Sequence, residues 1–193
     1  MIKTNQIIFL EKTANLLGVF GICLVMFLTF SVQFSLHELP CPLCLLQRFG
    51  FFCMAFGFLL NLRYGSNPLY YGIVLMSGLL TSFIALRQIV LHIIPGTGEY
   101  GSAILGLHLY TWSYIISMAA ITISVILLSM SRYNNDTEKY YSSSWHYLIK
   151  IAFAIVSLLL FANIVSTFLM CGFASCSHDP VRYELLQYFI APQ

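Results

Sequence analysis

Long apolar stretches separated by short polar breaks set the rhythm of this chain. Apolar residues dominate 14–34, 43–62, 69–94, 103–130 and 147–170. Each stretch is long enough to cross a bilayer as a helix, for which about 20 residues suffice. Residues 1–13 are polar and carry Lys3 and Lys12. The run Arg63-Tyr64-Gly65-Ser66-Asn67-Pro68 and the run Pro95-Gly96-Thr97-Gly98-Glu99-Tyr100-Gly101 hold the strongest turn signals. Residues 131–144 form a polar loop. The first apolar stretch is too long for a signal-peptide core, and no small-residue cleavage site precedes the first cysteine pair. It reads as a first spanning helix. The fold expected is an all-α integral membrane protein: a four-helix transmembrane bundle plus a fifth transmembrane helix, one domain over 1–193, with a tail from 171. The start of the fourth stretch, 103–109, is expected along the membrane interface. In the tail, Val181, Leu185 and Phe189 fall at i, i+4 and i+8, which predicts a short amphipathic helix on the surface.

Composition supports the same class. The chain is 59% hydrophobic and 8% charged, against about 25% charged in a soluble domain. A net charge of +2 without a basic run points away from nucleic acid. Lys3, Lys12, Arg63, Arg132 and Lys139 fall on one side of the predicted bundle, with Lys150 close by. Neither inter-helix loop on the other side has a cation, and the tail has Arg182. The positive-inside bias puts the N-terminus in the cytoplasm and the tail outside. Tyr110, Trp112 and Tyr114 would mark the outer interface, and Tyr140, Tyr141, Trp145 and Tyr147 the inner one.

The cysteines then change the picture. Cys23 and Cys53 lie inside apolar stretches and read as small hydrophobes. The other four form two close pairs at helix ends, Cys41-Pro42-Leu43-Cys44 and Cys171 with Cys176. Five spans put both pairs on the same, non-cytoplasmic face. A Cys-x-x-Cys pair closes a small, reactive disulfide whose attacking species is the thiolate. Cys44 falls in the first turn of helix 2, where the helix dipole favours an anion. Arg48 follows at i+4 on the same helix face, placed to stabilise that thiolate or to bind a carbonyl oxygen at the membrane edge. Arg87, Gln88 and His92 form a second polar patch at similar depth, and His92 and His108 flank the second outer loop. Ionisable groups inside spans mark functional sites, with snorkelling to the headgroups as the plain alternative. Four cysteines also match a structural zinc site by count. The oxidising side on which they fall favours disulfides instead, and no metal is assigned.

The segment Cys41-Pro42-Leu43-Cys44-Leu45-Leu46-Gln47-Arg48 between two spans resembles the disulfide bond formation protein B (DsbB) family of bacterial inner membranes. Ala85-Leu86-Arg87-Gln88 and Gly106-Leu107-His108-Leu109-Tyr110-Thr111-Trp112 resemble it as well. The similarity runs over about residues 14–130. It implies a membrane thiol:quinone oxidoreductase that reoxidises a periplasmic thioredoxin-fold oxidase of the DsbA type and passes electrons to ubiquinone or menaquinone. On that reading Cys41, Cys44, Cys171 and Cys176 are catalytic, and Arg48, Arg87 and His92 bind the quinone. The chain departs from the family pattern of four spans with a second cysteine pair in the second outer loop. Here that loop has no cysteine, and the second pair follows a fifth span. A relay from Cys171–Cys176 to Cys41–Cys44 is expected, with a plain structural disulfide as the alternative. Other readings are a dedicated oxidant for one client, like the DsbI branch, or a non-enzymatic membrane protein with structural zinc or disulfides.

Overall fold

A computed structural model describes residues 4–93, 101, 103–130, 143–172, 176, 180 and 182–185. Five long helices occupy the five apolar stretches: α1 Thr4–Ser35, α2 Pro42–Tyr64, α3 Pro68–His92, α4 Leu109–Met130 and α5 Ser143–Cys171. All five are long and apolar enough to cross a membrane. The chain is an all-α, multi-pass membrane protein.

Helix starts follow local chemistry. Pro42 and Pro68 stand in the first turns of α2 and α3, where a missing N–H costs nothing. Asn67 caps α3 by accepting a hydrogen bond from the Leu69 N–H at 2.9 Å. Asn61 holds the turn between the two helices, its Oδ1 accepting from the Asn67 N–H at 3.0 Å. Gly65, at φ 90°, makes that turn possible.

Helix α2 is the hub and packs against each of the other four helices. Its Phe51, Phe52, Met54, Ala55, Phe58, Leu59 and Leu62 meet Val19, Ile22, Met26 and Phe30 of α1, with Val74 of α3 and Ile149, Ala152 and Val156 of α5. Small residues allow close approach in a membrane bundle. A Cβ on Gly57 would lie 2.9 Å from the Tyr70 carbonyl oxygen, and one on Gly50 would collide with Thr81 Oγ1. At one end of the bundle, Asn15 Nδ2 donates to Tyr71 Oη at 2.9 Å and Ser66 Oγ donates to Glu11 Oε2 at 3.2 Å. Those bonds accompany a helix α1 that begins ten residues before the apolar stretch does.

The head of the fourth stretch is not helical. Ala103–Ile104 pairs with Leu107–His108 as a two-residue hairpin, and α4 starts only at Leu109. Leu105 and Gly106 take φ of 54° and 78°, the paired positive values of a tight hairpin turn. Trp112 ties the hairpin to α4 by donating from Nε1 to the Ile104 carbonyl at 3.0 Å. Trp145 packs edge-on against Phe9, 6.1 Å between centroids. Lys3, Arg132, Lys139, Tyr140 and Tyr141 lie outside the described residues, as does most of the tail helix expected over 181–189.

Candidate functional site

The alternating course of five helices brings the end of α1, the start of α2, the ends of α3 and α5 and the start of α4 to one mouth of the bundle. Cys41 sits there as the residue capping α2. Its sulfur accepts a hydrogen bond from the Cys44 N–H at 3.1 Å, taking the place a serine oxygen usually holds at a helix start. Both sulfurs are free thiols; Cys41 is buried and Cys44 partly so. The hydrogen bond with the Cys44 side chain, and after it burial, push the Cys41 thiol well above its usual pKa.

Two glutamines complete the cradle. Gln88 of α3 is 1% exposed. Its Nε2 faces both sulfurs, 3.4 Å from Cys41 and 3.6 Å from Cys44. Gln47 fixes this amide by donating from Nε2 to Gln88 Oε1 at 2.8 Å. Arg48, 7% exposed, donates from Nη1 to Gln33 Oε1 of α1 at 2.9 Å and stands over the Phe30 ring at 5.1 Å. Gln33 Nε2 in turn donates to Ser166 Oγ of α5 at 2.8 Å and to Tyr183 Oη of the tail at 3.0 Å.

A small cavity of about 60 Å³ opens onto this arrangement. Cys44, Gln47, Arg48 and Phe51 of α2 line it, with Met26 and Gln33 of α1, Gln88 of α3 and Tyr110 of α4. Cys41 does not line it. Beyond Gln33 and Leu39, which border both spaces, a larger groove of about 660 Å³ runs between α1 and α5.

The residues expected to bind a cofactor separate here. Arg48 borders the cavity. Arg87 is on the exposed face of α3 and is absent from the cavity wall, whereas its neighbour Gln88 points at the sulfurs. His92 meets the cavity through Tyr110, stacked on that ring at 5.7 Å, with His108 stacked on the same ring at 5.2 Å. Cys171 and Cys176 are bonded to each other. That bond removes two thiolates from the four-cysteine zinc alternative, and the described residues contain no cluster of three or more potential metal ligands. Sequence reasoning missed Gln33 and Tyr183. The signal available was an amide near the end of a mostly apolar stretch of α1, which holds one other, Asn15.

A multi-pass helical bundle with a cradled Cys-x-x-Cys at its mouth defines a membrane thiol–disulfide protein. Residues 11–99 match the family of Disulfide bond formation protein DsbB. Those residues, which hold most of α1 and all of α2 and α3, are what the chain shares with that family, and beyond them it carries two more apolar helices, α4 and α5, and the Cys171–Cys176 bond. No curated protein and no solved structure matches the chain.

Proposed function

We propose that the protein is a thiol:quinone oxidoreductase that reoxidises a DsbA-like dithiol protein on the periplasmic side of a bacterial inner membrane. The observation that carries this reading is one cavity wall shared by Cys44, Arg48 and apolar side chains at the mouth of the bundle, within a stretch of the disulfide-forming family. The Lys/Arg asymmetry supports an outward-facing mouth.

The residues suit a quinone in chemistry. Arg48 has five N–H donors and no acceptor, and one donor is used by Gln33. The others suit a carbonyl oxygen. Met26, Leu39 and Phe51 offer an apolar surface to a ring. In size the cavity falls short of the 300–1000 Å³ typical of small-molecule sites. Entry of a ring therefore requires its walls to part.

A bound quinone supplies a sink for two electrons and two protons. The protein's own groups do the rest. A thiolate of the reduced partner attacks the Cys171–Cys176 bond, and the partner leaves as a disulfide after its second thiol resolves the mixed disulfide. The resulting Cys171 and Cys176 thiols reduce a Cys41–Cys44 disulfide by the same exchange. Cys44, on the cavity wall, is the sulfur that faces the acceptor, and Cys41 closes the disulfide behind it. Two electrons leave the sulfur pair as its S–S bond forms, and its two protons leave with them. The Gln88 amide is in reach of both sulfurs of the reduced pair.

Purified protein mixed with a reduced thioredoxin-fold dithiol and ubiquinone or menaquinone should form quinol. Turnover no greater than that of a Cys41→Ser/Cys44→Ser control would refute the reading. The relay has its own test. A Cys171→Ser/Cys176→Ser variant should lose turnover with the protein dithiol and keep it with dithiothreitol. Normal turnover with the protein dithiol would make the tail bond structural.

A further inference from the structure

Among the described residues, the Gln33 amide links the fifth helix and the tail to the acceptor site. Gln33 is 2% exposed, at the mouth end of α1. A glutamine amide has one oxygen that accepts and one nitrogen with two hydrogens to donate. Arg48 donates only, so the oxygen must face Arg48, as it does at 2.9 Å. The two N–H groups then need two acceptors on the opposite side. Ser166 Oγ at 2.8 Å is one, and Tyr183 Oη at 3.0 Å is the other. Every hydrogen-bonding direction of the nitrogen is used.

We propose that Ser166 and Tyr183 are positioning residues, which hold the Gln33 amide in the orientation that fixes the Arg48 guanidinium at the redox cavity. A four-helix bundle without α5 would leave the Gln33 NH₂ facing hydrocarbon, where an unpaired polar group is costly. The stranded NH₂ would be relieved only by the side chain swinging towards acceptors elsewhere, which draws its oxygen off the guanidinium. The hydroxyls on α5 and the tail remove that alternative. Gln33, with Leu39, borders both the redox cavity and the α1–α5 groove, so the amide that these hydroxyls orient stands at the joint between the two spaces. The Cys171–Cys176 bond lies between Ser166 and Tyr183 in the chain.

This inference rests on the quinone reading above, and the test separates the two. Tyr183→Phe and Ser166→Ala each delete one acceptor while keeping most of the packing. Together they should raise the KM for quinone about fivefold, which corresponds to about 1 kcal/mol in total, with kcat and the KM for the protein dithiol unchanged. Ser166→Thr, which keeps a hydroxyl, should behave as the unaltered protein. A quinone KM within twofold of the original overturns the proposal, and so do two KM values that rise together. If the unaltered protein reduces no quinone, the functional reading fails, and alkylation decides the present one. In reduced protein at fixed pH, the double variant should label Cys44 at least threefold more slowly, because the guanidinium one turn away on its helix face has moved. An unchanged rate overturns the proposal. If the double variant does not accumulate, Tyr183→Phe alone carries both measurements.

Discussion

The side-chain nitrogen of Gln88 stands 3.4 Å from the Cys41 sulfur, joining the last turns of α3 to the cap of α2. The residues are 47 positions apart in the chain. The same nitrogen lies 3.6 Å from Cys44, so one amide serves whichever sulfur carries charge. A donor that suits both thiolates lowers the cost of moving charge between them.

Gln88→Leu should therefore slow thiol oxidation about tenfold, the loss expected of a hydrogen bond to a charged group. It also strands the Gln47 NH₂, which now donates to Gln88 Oε1. Gln88→Glu should be slower still, since a carboxylate beside a thiolate repels it. Single-turnover oxidation of the reduced Cys41–Cys44 pair is the measurement. A rate unchanged in Gln88→Leu would reduce the cradle to packing.

Arg48→Ala should raise the KM for quinone about tenfold while changing the KM for the protein dithiol little, because the guanidinium borders the cavity. Arg48→Lys should recover part of the loss: the charge returns, but not the planar fork that holds Gln33 and rests on Phe30. Steady-state kinetics with each substrate varied in turn gives the split. Equal rises in both KM values would mean that Arg48 only shapes the fold.

Labelling of the two cysteines should depend on pH in opposite order to their place in the chain. A raised thiol pKa means less thiolate at any given pH, and alkylation needs the thiolate. The Cys41 pKa is raised, first by the hydrogen bond with Cys44 and then by burial. Cys41 also lies off the cavity wall, whereas Cys44 is on it. In reduced protein, maleimide at pH 7 to 9 should modify Cys44 and leave Cys41 intact. In Cys44→Ala the first cause of the shift is gone, so the onset of Cys41 labelling should move to lower pH. Mass spectrometry of the labelled peptides reads both. Labelling of Cys41 ahead of Cys44 would reverse the assigned roles.

Gly57→Ala should destabilise the bundle by about 1–3 kcal/mol, since the added methyl overlaps Val74 and the Tyr70 backbone where α2 meets α3. Gly21→Ala meets nothing within 4 Å and should be neutral or stabilising through helix propensity. Thermal unfolding in one detergent compares the pair. Equal Tm values would show that α2 and α3 can separate there without cost.

Much of the architecture is legible along the chain because the bilayer imposes it. A span must be about 20 apolar residues of helix. Five such stretches, broken by Pro and Gly, fix five helices and, by parity, put Cys41, Cys44, Cys171 and Cys176 at the same end. The boundaries are less legible. Helix α1 begins at Thr4 rather than 14 because Glu11 and Asn15 find polar partners across the bundle, in Ser66 and Tyr71. The hairpin over 103–108 hides in an apolar stretch because its turn depends on two positive φ angles rather than on polarity.

The sequence by itself determined the membrane class, the number of spans and the Cys41–Cys44 spacing, since each follows from hydrophobicity or from residues a few positions apart. Only the tertiary structure decided which polar side chains surround that pair. Arg87 and Gln88 are adjacent in sequence, yet helix geometry turns one outward and the other onto the sulfurs. Gln33, Arg48 and Tyr183 meet across separations of 15 and 150 residues. Such contacts arise from how helices pack, and no local pattern encodes them.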